Sequence, residues 1–132
     1  MIKKLEIKTN SRSEIIDITD KVQKIISDHK IKSGICIIYV PHTTAAITVN
    51  ENYDPSVRID ILDYLEKIAP AATRYKHTEG NADSHIKTSV VGSSATLVIE
   101  DGKVLLGSWQ GIMFCEFDGP RNRKLVVKII AG

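Results

Sequence analysis

Cysteine, tryptophan and long apolar runs are all scarce in this 132-residue chain, and each scarcity closes a route. The two cysteines, Cys36 and Cys115, stand far apart among apolar neighbours and form no CxxC pair. That excludes a disulfide scaffold as the main source of stability, and it predicts buried free thiols in a reducing, cytoplasmic setting. Neither cysteine has a basic sequence neighbourhood to lower its pKa, which argues against a cysteine nucleophile. The longest apolar runs, such as Ile35 to Val40, are far too short to span a bilayer, so no membrane partner is expected. The N-terminal residues Met1 to Lys8 alternate apolar and charged side chains; this pattern predicts a strand rather than a secretory signal. Lysine plus arginine (18) barely exceeds aspartate plus glutamate (16). With no basic–aromatic stripe either, no nucleic-acid partner is expected. Neither GxxxxGK[ST] nor GxGxxG occurs, which removes the P-loop and the dinucleotide fingerprint. Ser108 lies in G107-S-W-Q-G111, which lacks the GxSxG form of a nucleophile elbow.

What remains is the composition of an ordinary globular protein, 42% hydrophobic and 26% charged. The length suits one domain over residues 1–132 with a sizeable core, and no repeat or linker divides it. Ile2, Leu5 and Ile7 predict a first strand, and Glu14 to Ile18 a second. A helix follows, capped by Thr19 or Asp20, with Val22, Ile25 and Ile26 facing inward. Ile35 to Val40 reads as a buried strand. Beyond Pro41, His42 to Asn50 reads as another. Asp54-Pro55 is a strong helix start, and Val57, Ile61, Leu65 and Ile68 recur at helical spacing until Pro70. Strands are predicted at Ile86–Val91, Thr96–Ile99, Val104–Trp109, Ile112–Phe117 and Leu125–Ile130. Asp101-Gly102 and Asp118-Gly119-Pro120 mark turns. The expected architecture is α+β, with two main helices on a mixed or mostly antiparallel sheet.

Four polar clusters fall at the ends of these elements. The densest is H77-T-E-G-N-A-D-S-H85. Read as extended chain, it would aim His77, Glu79, Asn81, Asp83 and His85 to one side. With His42, the two histidines would offer three imidazoles to a divalent metal, zinc or magnesium, and leave one position open. Glu51, Glu79 and Asp83 would then orient ligands or act as general bases. Any one histidine by itself is better explained by a loop hydrogen bond. His29, at a helix end, is accounted for by the helix dipole. Arg121 and Arg123 are two residues apart, so in extended chain both would grip one phosphate. Thr43, Thr44, Lys87 and Ser89 would add donors. The same spacing equally fits a solvated hairpin tip with two exposed arginines. Trp109, the only tryptophan, is a core residue or a stacking surface for a heteroaromatic ring.

Taken in order, P41-H-T-T-A-A-I-T-V-N-E-N52, D54-P55, Y75-K-H-T-E-G-N81 with D83 and H85-I-K87, L106-G-S-W-Q-G111 and E116-F-D-G-P-R-N-R123 resemble the YjbQ family. That family is also described as secondary thiamine-phosphate synthases. The resemblance implies a β-sandwich-like core, a homotrimer, and a polar pocket near the subunit interface. It implies a transferase joining a pyrimidine methyl pyrophosphate to a thiazole phosphate with release of pyrophosphate. The expected partner is thus a small phosphorylated metabolite. On that reading His42, Glu51, Glu79 and Asp83 are the catalytic candidates. Thr43, Thr44, Asn81, Lys87, Trp109, Arg121 and Arg123 would bind substrate. Two other classes share the same residues. One is a metal-dependent hydrolase of a phosphorylated or amide metabolite, using His42, His77 and His85. The other is a non-enzymatic trimer that binds a phosphorylated metabolite.

Overall fold

The alternation of apolar and polar residues gives most strands one buried side, and the computed structural model, which describes residues 1–132, stacks those sides together. The elements in chain order are β1 (Ile2–Lys8), β2 (Glu14–Asp17), α1 (Thr19–Asp28), β3 (Gly34–Tyr39) and β4 (Ala45–Glu51). They continue with α2 (Pro55–Ile68), α3 (Ala82–Val91), β5 (Ser94–Glu100), β6 (Lys103–Val104), β7 (Gln110–Glu116) and β8 (Asn122–Ala131). A five-stranded sheet runs β1-β8-β3-β5-β6, and a three-stranded sheet runs β2-β7-β4. Every pairing is antiparallel. The expected α+β class with a sandwich-like core is what forms.

The main core lies between the sheets and under α1. Ile38, Leu125 and Val127 reach in from the larger sheet, Ile47, Ile112 and Phe114 from the smaller, and Val22, Ile25 and Ile26 from α1. Burying each such side chain contributes about 1.5–3 kcal/mol. A second, smaller cluster (Ala46, Leu65, Cys115 and Phe117) sits on the far face of the three-stranded sheet. The two cysteines are free and buried, and burial pushes the Cys36 thiol up to about 11 and that of Cys115 to about 12.

Local chemistry explains most element ends. Asp54 accepts the Ser56 N–H at 2.9 Å, and Pro55 opens α2. At α1 the capping role falls to Asp17, not to Thr19 or Asp20: its carboxylate accepts the Thr19 N–H at 2.8 Å. No helix is long and apolar enough to cross a membrane.

Several expectations need correction. Ile86–Val91 is the body of a third helix rather than a strand. Its spacing is helical: Ile86 and Val90 are exposed while Lys87 and Thr88 point inward. The predicted strand Val104–Trp109 pairs only over Lys103–Val104; the rest is loop and turn. There Gln110 folds back to accept the Gly107 N–H at 2.7 Å. His42–Thr44 precede β4 rather than joining it. The Asp118-Gly119-Pro120 turn passes the chain from one sheet to the other, so it is no hairpin tip. In α2, Ile68 lies exposed and only Leu65 is buried.

Candidate functional site: a polar pocket between two sheets and a helix

The chain crosses from the small sheet to the large one at β7–β8, and the start of β4 lies alongside. Glu116, the last residue of β7, is fully buried and therefore needs compensation. Arg123 supplies it, with Nε donating to Glu116 at 2.8 Å and Nη2 bonded to the same carboxylate. Arg123 Nη2 also donates to the Thr44 hydroxyl at 2.8 Å. Thr9 from the end of β1 donates to Glu116 at 2.8 Å and accepts the Arg121 N–H at 2.8 Å. Burial pushes the Glu116 carboxyl up, but the bonds from Arg123, the Asp118 N–H and Thr9 outweigh it and hold it below the ordinary glutamate range. Gly119 permits this close passage: a Cβ there would stand 2.3 Å from the Ser11 carbonyl. Arg123 Nη1 is left without a partner in the chain.

The opposite wall comes from α3 and the loop before it. Asp83, buried, accepts a two-pronged bond from Arg12 at 3.0 and 3.1 Å. It also accepts from Lys87 at 2.9 Å, and Lys87 in turn reaches Glu66 on α2 at 2.6 Å. Burial raises the Asp83 pKa, but Arg12 and Lys87 overcome that and hold it low. Arg12 donates further to the Gly80 carbonyl, so one guanidinium steadies both the helix start and the loop. Asn81 then bridges the walls, donating to Asp118 at 2.8 Å while its carbonyl lies 3.0 Å from His77 Nε2. Arg121 grips the Asp118 carbonyl and carboxylate at 2.7 and 3.0 Å.

Between these walls opens a cavity of about 390 Å³ lined by His42, Thr43, Thr44, Glu79, Asn81, His85, Asp118, Arg121, Arg123 and Pro41. Apart from Pro41, no apolar residue lines it. Eight of the residues singled out from sequence therefore do converge: His42, Thr43, Thr44, Glu79, Asn81, His85, Arg121 and Arg123. His77 stands just outside, its ring 5.3 Å from that of His85 in an edge-to-face arrangement. Asp83 and Lys87 instead make the buried ion network behind α3. Lys87 faces a separate cavity of about 290 Å³ under α2. Glu51 and Trp109 lie at the other end of the small sheet, where Glu51 pairs with Gln110.

His42 has a restricted chemistry. Its Nε2 accepts the Lys124 N–H at 2.9 Å, so in the neutral ring the proton sits on Nδ1. Desolvation, aided by the charge of Arg123, lowers its pKa and favours that neutral form. His42 is thus a donor through Nδ1–H rather than an available base. With Nε2 engaged in this way, His42, His77 and His85 do not present three free imidazoles to one point. No three His, Cys, Asp or Glu groups converge at metal-ligating spacing. The unengaged donors of the pocket outnumber its one carboxylate without a hydrogen bond, Glu79, which lies 3.7 Å from His77 Nε2. Those donors are Nη1 of Arg121 and Arg123, Nδ1–H of His42, the Thr43 hydroxyl and the His85 ring. Sequence reading missed Arg12 and Glu66, which carry no local motif. The one signal for Arg12 is its polar setting, S11-R-S13, between two strands.

A family model described as UPF0047 protein YjbQ-like matches residues 3–132. The chain is 57% identical over 130 residues to UPF0047 protein MJ1081 of Methanocaldococcus jannaschii, covering 98% of this chain and 94% of that one. It is 47% identical to UPF0047 protein YugU of Bacillus subtilis, with 98% and 99% covered. Among solved structures, an uncharacterized conserved protein of the YjbQ/UPF0047 family from Clostridium acetobutylicum superposes with a TM-score of 0.94. It is 50% identical, and 97% and 99% of the two chains are covered. A YbjQ-like protein of unknown function from Sulfolobus solfataricus gives a TM-score of 0.95 at 33% identity, with 100% and 97% covered.

Proposed function

This chain belongs to the UPF0047 YjbQ-like family, and we propose that its pocket binds the phosphate groups of a small metabolite and carries a thiamine-phosphate-synthase-like transfer. The observation that carries this reading is the convergence of Arg121, Arg123, His42 and Thr43 on one cavity with little free negative charge. Preorganised donors of this kind stabilise charge as it develops on a departing group. In the transfer, the bond from the pyrimidine methylene carbon to the pyrophosphate oxygen breaks. Pyrophosphate leaves with the electron pair, and the thiazole nitrogen forms the new bond to that carbon. Arg121 Nη1 and Arg123 Nη1 receive the leaving pyrophosphate, and His42 Nδ1–H and Thr43 orient it. Glu79, 3.7 Å from His77 Nε2, places its negative charge where the thiazolium cation forms.

The test mixes pyrimidine methyl pyrophosphate and thiazole phosphate with the purified protein and follows thiamine phosphate. Arg121 is half-exposed and outside the core, so Arg121→Ala leaves the fold intact. It lowers kcat/KM about 10- to 100-fold, the worth of one charge-assisted hydrogen bond. The zinc or magnesium expectation is tested in the same assay: synthesis that survives chelation assigns the leaving-group charge to the arginines. Absence of product with any preparation defeats the transferase reading. Thermal stabilisation by pyrophosphate without product would then leave a binding protein.

A further inference from the structure

The segment 71–80 joins α2 to α3 and brings Glu79 to the pocket and His77 to the ring of His85. It belongs to no helix or strand, and it is exposed along nearly its whole length. No backbone–backbone hydrogen bond involves it. Two bonds tie its backbone to side chains of the body. At its start the Ala71 N–H donates to Glu66 Oε1 at 2.7 Å. At its end the Gly80 carbonyl accepts from Arg12, and Gly80 turns the chain there with a φ of +81°. A stretch with so few bonds keeps its place only as firmly as those two hold. Both lead to one buried carboxylate. Glu66 Oε2 accepts Lys87 at 2.6 Å, Lys87 donates on to Asp83 at 2.9 Å, and Arg12 forks onto the same Asp83. The bonds from Lys87 and the Ala71 N–H hold the Glu66 carboxyl below the ordinary glutamate range, so it is charged at neutral pH.

We infer that Glu66 is a positioning residue for the pocket, holding the start of the segment 71–80 so that His77 and Glu79 stand where they do. It lines the separate cavity under α2 and not the pocket itself, so it acts through the segment. Helix α2 ends without its help: the Ala69 N–H closes onto the Leu65 carbonyl, and Pro70 has no N–H to continue the helix. The Tyr75 hydroxyl donates to the Pro70 carbonyl at 2.5 Å and folds the first half of the segment back on its base. The second half reaches the pocket, where His77 meets Asn81 and His85. With the Ala71 bond gone, Gly80 alone fixes the segment. Arg121 and Arg123 belong to the other wall and are untouched by this. Binding of the leaving group and stabilisation of the forming cation are thereby held by different parts of the chain. That last consequence rests on the proposed transfer; the tether does not.

Two measurements decide. The first uses the protein without ligand. The rings of His77 and His85 meet edge to face, so each displaces the proton resonances of the other; His77→Gln assigns them. Glu66→Ala is expected to bring both sets to the values of free imidazole at the same pH. Glu66→Gln, whose amide oxygen still accepts the Ala71 N–H, is expected to keep them displaced. The second follows thiamine phosphate. Glu66→Ala should lower kcat about 10- to 100-fold, the scale of a reacting group misplaced by about 1 Å, with KM for pyrimidine methyl pyrophosphate unchanged. Glu66→Gln should restore most of that rate. Unmoved ring resonances in Glu66→Ala would overturn the inference. So would a Glu66→Gln as impaired as Glu66→Ala, because the charge facing Lys87 and not the Ala71 bond would then be at work. A rise in KM for the pyrimidine substrate as large as the fall in kcat would mean a general loosening of the pocket, and would also overturn it. Ring displacements lost in Glu66→Ala and kept in Glu66→Gln, with no thiamine phosphate from the wild type, would keep the positioning role and defeat the transfer reading alone.

Discussion

One wall of the pocket is anchored by residues seven apart in sequence, Glu116 and Arg123, and the other by Arg12 and Asp83, 71 apart. The first anchor is buried on both sides, with side-chain exposures of 5% and 0%. In the second, Asp83 is buried but Arg12 is 40% exposed. The strand wall is therefore held by sheet register and a closed ion pair. The helix wall adds to its own buried Asp83–Lys87 pair a guanidinium that water can reach, and that guanidinium also steadies the loop of Glu79 and Asn81. The comparison teaches that the arginine end of the pocket is stiff and the histidine end adjustable.

The sharpest way to break this comparison is Glu116→Gln. It leaves Arg123 buried without its counter-charge and should cost about 3–5 kcal/mol in denaturant unfolding. The same variant tests the pH dependence. Glu116, Asp83 and Asp118 all have depressed folded-state pKa values. Their stabilisation is complete above the unfolded carboxylate values, about pH 4, and is lost as pH falls through the lower folded values. Glu116→Gln should show a shallower acid loss than wild type, and an unchanged profile would remove Glu116 from the account. Arg12→Ala is expected next in size, about 1–3 kcal/mol, as one charged hydrogen-bonding partner of a buried carboxylate is lost. Its larger effect should fall on ligand affinity, with partial rescue by Arg12→Lys, which keeps the charge but not the fork. Equal stability losses in Glu116→Gln and Arg12→Ala would dissolve the distinction between the walls. Smallest is Lys24→Ala, which removes an exposed pair with Asp28 four residues on. Less than about 0.5 kcal/mol is expected, a measure of how little an open ion pair does beside a closed one.

The same contrast explains what was legible in the sequence. The strands that alternate cleanly, such as β8 with Leu125, Val127 and Ile129 inward, announce their register by period alone. The α3 segment I-K-T-S-V-V is rich in β-branched residues and reads locally as a strand. Its helix is set by distant groups: Asp83 meets Arg12, and Lys87 meets Glu66. Of these partners only the Asp83–Lys87 pair, four residues apart, lies within a local window. At the site, Arg121 and Arg123 both line one cavity. Their spacing did not show that Nε and Nη2 of Arg123 are taken by Glu116 and Thr44. Trp109 and Glu51 belong to the same sequence signature as His42, yet a full strand length parts them within one chain.

Helix α2 carries a consequence for motion. Of its fourteen residues only Leu65 is buried, and its one ion pair to the body is Glu66 with Lys87. Ile59, Tyr64 and Ile68 face outward. Regions with few buried contacts open as a unit at a free energy well below that of global unfolding. In amide hydrogen exchange, α2 should therefore lose its protons as a block long before β3 and β8, without disturbing the sandwich. Each opening would uncover Phe117 and release one of the two carboxylates that hold Lys87.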